Sequence, residues 1–192
     1  MQSPGVRLTR TTQGDDGRVR LAPARPDEVT AARPGDDLVT GDPVVMDRGC
    51  SFDATPEVVW PWLEQLGKDR AGWYLPITVE RFLPPSRRAI RHLDDRWLGL
   101  AVDSVVPDYG GRHETFTVAA IDPPRSLVHR SRRGGTEVSW SLTLTPEEAG
   151  TRLHLRLRLG PVRHRRLAEV AGGLVDALTV AGMAAGLRER LR

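Results

Sequence analysis

The sequence predicts an α+β protein: an antiparallel sheet whose apolar face is closed by one long C-terminal helix. Three observations predict it. Between residues 114 and 159, segments of alternating apolar and polar residues succeed one another across short Asp/Pro/Gly turns, the regular spacing of an antiparallel meander. The last segment is the clearest, with Leu153, Leu155, Leu157 and Leu159 alternating with Arg152, His154, Arg156 and Arg158. That pattern puts one apolar face inward and a wet face outward. The run 170–187 then carries Asp176 as its only charge. Pro161 to Arg192 makes a helix of roughly 45 Å at the usual rise per residue, long enough to cover the strands before it.

Residues 1–40 are rich in Arg, Asp, Gly, Pro and Thr without apolar periodicity, and read as an extended or mobile arm. The domain proper is residues 41–192. Pro43 to Phe52 is the first strand, with Met46, Arg48, Cys50 and Phe52 on one face. Inward-facing Phe52 takes Arg48 with it, either to a strand edge that reaches solvent or to a polar contact inside a cavity. A helix follows. Thr55 is a good N-cap, Pro56 at the first helical position loses no useful N–H, and Glu57 suits the positive end. Val58, Val59, Trp62, Leu63 and Leu66 recur at helical spacing, and Gly67 suits the stop.

Asp69 to Leu83 is the most aromatic stretch and predicts one or two short helices over the open end of the sheet. Trp73 and Tyr74 there are either core lids or the rim of a ligand entrance. Pro84 to Asp95 is a charged connector. Glu114 to Ile121 places Phe116, Val118 and Ala120 on one face; Ser126 to Arg132 returns the chain and carries His129. Arg133-Gly134-Gly135 turns it again. Thr136 to Thr145 aligns Val138, Trp140, Leu142 and Leu144. In the closing helix Leu167, Val170, Leu174, Leu178, Ala181 and Ala185 form the main stripe. Its glycines, Gly172, Gly173, Gly182 and Gly186, each cost about 1 kcal/mol relative to Ala; they mark either close packing or empty volume over the sheet.

Composition excludes several classes. With 192 residues and 39% hydrophobic content the chain suits one soluble domain. Net charge is +3 at a sequence pI of about 9.7, and Lys68 is the only lysine. The arginine row lacks the aromatics that stack on single strands, so no nucleic acid partner is expected. A central Asp176 costs on the order of 3 kcal/mol in a bilayer, so no membrane span is expected either. Cys50, the single cysteine, allows neither an internal disulfide nor a metal cluster, and no cofactor motif is present. Met1 to Arg10 lacks the apolar core of a signal peptide, so the expected location is cytoplasmic. Of the 5 histidines, His154 and His164 read as solvated and His129 as the candidate for a cavity. A register shift of one residue would turn His129 outward. No Gly-x-Ser-x-Gly elbow or phosphate loop occurs.

The stretch Phe52-Asp53-Ala54-Thr55-Pro56-Glu57-Val58-Val59-Trp60-Pro61-Trp62-Leu63 resembles the opening of the START-like, polyketide cyclase/dehydrase-like (SRPBCC) family. Arg70-Ala71-Gly72-Trp73-Tyr74 resembles the Gly-aromatic-Tyr element of one bacterial subgroup, and the resemblance runs over residues 35–190. It departs after Tyr74, where Leu75-Pro76-Ile77 replaces a polar continuation. The resemblance implies a helix-grip fold: a curved antiparallel sheet wrapped around the C-terminal helix, with a cavity between them. It implies that Phe116, Val118, Trp140, Leu142, Leu174 and Leu178 form the walls, with Trp73 and Tyr74 near the mouth. The leading expectation is binding of a small hydrophobic or amphipathic ligand, with Arg48 and His129 as polar groups. One alternative is a polyketide cyclase/dehydratase-like enzyme using His129, Arg48 or Glu137. The other is a protein-interaction module in which Trp62 and Trp140 fill the cavity. Oligomeric state does not follow from the sequence.

Overall fold

The computed structural model describes residues 22–192. Six strands form one antiparallel sheet in the order β1-β6-β5-β4-β3-β2. They are β1 (Val44–Phe52), β2 (Val105–Pro107), β3 (Thr115–Asp122), β4 (Ser126–Arg133), β5 (Thr136–Glu147) and β6 (Gly150–Gly160). β2 to β6 form a meander, and β1 returns to pair along β6 from Val44↔Leu159 to Phe52↔Thr151. The sheet curves around a C-terminal helix, Arg165–Arg190.

Register decides what faces that helix. One inward row runs Met46↔Leu157↔Trp140↔His129↔Val118, and the next runs Arg48↔Leu155↔Leu142↔Leu127. His129 therefore points inward, beside Trp140. Under the C-terminal half of the helix, Leu142, Leu144, Leu153 and Leu155 pack with Val180, Met183, Ala184 and Leu187. The helix α2 (Pro56–Gln65) closes this core with Val59, Trp62 and Leu63. Thr55 occupies the N-cap position with extended backbone, although its hydroxyl makes no capping bond. Val58, expected on the buried face, is exposed.

The closing helix differs from its predicted stripe. Ala181 and Ala185 are buried, but Leu174 and Leu178 are 60% and 56% exposed, so neither is a cavity wall. The apolar run is covered on two sides at one end only. There the chain at Tyr74–Leu75 crosses the helix so closely that a Cβ on Gly186 would lie 2.5 Å from Leu75 N. Further toward the N-terminus a π turn at Ala168–Gly172 interrupts the 3.6-residue period. By length and composition the helix could cross a membrane, yet residues 180–187 form the heart of this core.

The outer sheet face, expected to be solvated, is covered over β1 and β6. Residues 22–40, read as part of an extended arm, include the short helix α1 (Pro26–Thr30) and a 3₁₀ turn at Asp36–Leu38. They lie over β1 and β6; residues 1–21 fall outside the described residues. The arginine row does the fastening. Arg156 donates to the free carbonyls at the end of α1, those of Glu28, Val29 and Ala31, and to Asp36 and Asp47. Arg152 pairs with Glu28 at 2.7 Å, and His154 lies 2.9 Å from Asp47. His154 and Arg156 are buried rather than solvated. An alternating strand reports which residues share a face, but not what later covers that face.

A candidate ligand cavity

Where the helix leaves the sheet, between residues 171 and 180, a cavity of about 790 Å³ opens. Its floor is the inward row of the sheet: Met46, Leu157, Leu159, Trp140 and His129. Phe116, Val106 and Pro107 form the wall from β3 and β2, and Val175, Thr179 and Val180 form the roof. This volume lies in the usual range for small-molecule sites, and its lining is mostly apolar as such sites are.

An aromatic group dominates the floor. Trp140 stacks on His129 with centroids 5.5 Å apart and planes 26° apart. Trp140 also stacks with Trp73 at 6.1 Å and 29°. Phe116 leans on both Trp140 and His129, at 5.9 and 5.6 Å, and Tyr109 meets Trp73 edge-on at 6.0 Å. The indole N–H of Trp73 donates to Thr179 O at 3.2 Å, fixing that ring against the helix.

Charge on the walls is paired. Arg133 sits over the Phe116 ring and forms an ion pair with Asp108. At the opposite side Asp176 is ion-paired with Arg48, whose Nε lies 2.9 Å from a carboxylate oxygen, and Arg48 donates to Gly173 O and Asp47 O. Burial raises the Asp176 carboxyl, with Arg48 acting against it. His129 is 5% exposed. Burial, assisted by the positive charge of Arg70, lowers its imidazole to about 4, so it is neutral at physiological pH.

Four of the sequence-predicted residues, Trp73, Phe116, His129 and Trp140, line this cavity together. Arg48 stands behind the wall and holds Asp176. Tyr74 is fully buried and belongs to the core instead: its hydroxyl donates to Trp62 O at 2.8 Å and accepts from Gln65 Nε2 at 3.1 Å. Val118 and Leu142 are core as well. Glu137 lines a separate groove on the outer side with His113 and Arg130, so it does not join Arg48 and His129. Trp62 packs edge-on against Tyr74 at 5.7 Å, while the contacts of Trp140 are with Trp73, Phe116 and His129.

Sequence reasoning missed Asp108 and Tyr109, and read Arg133 only as a turn residue. Their signal was an aromatic and opposite charges at the ends of β2 and β4, the two strands that flank β3 and that only the tertiary structure brings together. Among the described residues no group of three or more His, Cys, Asp or Glu is placed to hold a metal ion.

Among solved structures, a protein from Rhodobacter sphaeroides superposes with a TM-score of 0.50 at 20% identity, over 77% of this chain and 91% of its own. The fold, an antiparallel sheet curved around a long C-terminal helix, is a helix-grip. The Polyketide_cyc-like protein Cgl2372 from Corynebacterium glutamicum matches at a TM-score of 0.39 and 16% identity, over 79% and 89% of the two chains. MLL2253 from Mesorhizobium loti matches at 0.47 and 18%, over 76% and 97%. No family model and no curated protein matches this chain. In this helix-grip the cavity lies under residues 171–180 of the closing helix, and packed side chains fill the space under Val180 to Leu187.

Proposed function

We propose that this protein binds a small hydrophobic or amphipathic molecule in the cavity between the sheet and the C-terminal helix. The observation that carries the reading is the roughly 790 Å³ volume floored by Trp140, His129 and Phe116 and roofed by Val175 and Val180. A buried apolar ligand there gains about 25 cal/mol for each Å² removed from water, and the rings offer broad, rigid surface at low entropic cost. The reading requires neither nucleic acid nor membrane.

Native mass spectrometry of freshly purified protein, followed by denaturing release, tests it. A stoichiometric adduct of small-molecule mass is the expected result. A bare protein that also fails to enhance a hydrophobic fluorescent probe refutes it.

A further inference from the structure

His129 is the one polar ring in the cavity floor, and it is without a partner. It is 5% exposed, its Nδ1 is buried without a hydrogen bond, and its two ring contacts, Trp140 and Phe116, are aromatic. A neutral imidazole has one donor and one acceptor, and leaving them unpaired in an apolar site is costly. A core position flanked by Trp140 and Phe116 would be filled at lower cost by Phe or Leu. The ring nevertheless sits on the cavity surface, and its Nε2, which unlike Nδ1 is not among the buried unpaired atoms, is the nitrogen that a bound molecule can reach.

The charges around it restrict that molecule further. The charged side chains on the lining are Asp108, Arg133 and Asp176. Asp108 is spent on Arg133, and Asp176 on Arg48 just behind the wall. Arg70, whose charge bears on His129, has Glu64 as its own opposite charge and donates to the carbonyls of Glu64 and Trp97. A carboxylate or ammonium entering this space would lose its hydration without gaining an uncommitted counter-charge.

We infer that the cavity takes an uncharged molecule with a flat apolar body and a hydroxyl, the body lying against the aromatic lining formed by Phe116, Trp140 and Trp73 and the hydroxyl bonding to His129. This rests on the binding reading above and narrows it to a chemical class. The neutral imidazole accepts from a hydroxyl or donates to it without a change of charge. The paired walls keep ionised analogues out.

Three matched probes test it: naphthalene, 2-naphthol and 2-naphthoate, titrated at pH 7 by displacement of a hydrophobic fluorophore and by isothermal calorimetry. Naphthol should bind about 2- to 10-fold more tightly than naphthalene, the range of one net hydrogen bond. Naphthoate should bind at least about tenfold more weakly than naphthol. His129→Phe keeps a ring on Trp140 and should abolish the naphthol preference while retaining naphthalene. His129→Gln, which restores hydrogen bonding, should recover part of the preference, with circular dichroism reporting the fold of both variants. Equal binding of all three probes, a preference for naphthoate, or an unchanged naphthol preference in a folded His129→Phe overturns this inference and leaves cavity binding standing. If the wild-type protein takes up none of the three, the cavity reading falls and this inference with it.

Discussion

Replacing Gly186 by Ala tests the tightest contact in the core. On helix propensity alone the change is favourable by about 1 kcal/mol. In this fold, however, the new methyl would lie 2.5 Å from Leu75 N and 2.6 Å from both Leu75 C and Tyr74 C. These are backbone atoms, and each would have to retreat by roughly 1 Å to regain normal contact. They are not free to do so. Arg190 donates to Leu75 O at 3.2 Å and to Gly186 O at 2.9 Å, and the Tyr74 hydroxyl is anchored on Trp62 O. Overpacking of this kind costs about 1–3 kcal/mol; against three backbone atoms that cannot retreat the upper figure applies, and after the propensity gain the expected net loss is about 2 kcal/mol. For a chain of this size that lowers Tm by about 4–8 °C. Gly173→Ala is the control. Its methyl would find only Arg48 Nη2, at 4.0 Å, so the propensity gain survives and Tm should rise by up to about 4 °C. Urea and thermal melts followed by tryptophan fluorescence measure both. A Gly186→Ala protein as stable as wild type would refute the close crossing of Tyr74–Leu75 over the helix.

Three further outcomes follow from buried charge. Arg190 has a side chain with no exposure and meets Glu80 at 2.7 Å; Glu80→Ala strands that cation and should cost about 3–5 kcal/mol in urea denaturation, a loss below about 1 kcal/mol showing that the pair is not buried. Burial raises the Glu28 carboxyl, but its bonds from Arg152 and the Arg25 N–H more than offset this and bring it from 4.5 to about 2. Its contribution is therefore complete above the unfolded value and lost as pH falls from about 4.5 through 2. Glu28→Gln should flatten that acid limb, and an identical limb in both proteins counts against the Arg152 clasp. His129 is shifted from 6.5 to about 4, chiefly by burial. The unfolded chain therefore takes up a proton that the folded one refuses, and stability declines from about pH 6.5 to 4 by on the order of 3 kcal/mol. His129→Phe should lack this component in melts across that range; an unchanged pH profile would mean that the ring is solvated.

Alternation determined the inward faces of β5 and β6, and with them Trp140, Leu142 and Leu153 to Leu159, because a strand has only two sides. Cap chemistry at Thr55-Pro56 determined where α2 begins, and the apolar run after Val170, charged only at Asp176, determined that one helix closes the sheet. Of the four predicted residues that line the cavity, Trp140 was legible on these grounds, Phe116 from the alternation of β3 and Trp73 from the aromatic stretch before the sheet. The position of His129 was settled only by pairing, since its strand alone leaves the register open by one residue and the partner Trp140 closes it. The exposure of Leu174 and Leu178 depended on where the Tyr74–Leu75 crossing stops, a contact between residues more than a hundred positions apart. The same holds for the arginine row of β6. Its alternation with leucine said outward, and outward was correct. That Arg152, His154 and Arg156 would meet Glu28, Asp47 and the carbonyls ending α1, rather than water, was decided by the chain folding back over them. Local periodicity reports the side of an element on which a residue lies; what stands opposite that side is a property of the tertiary structure alone.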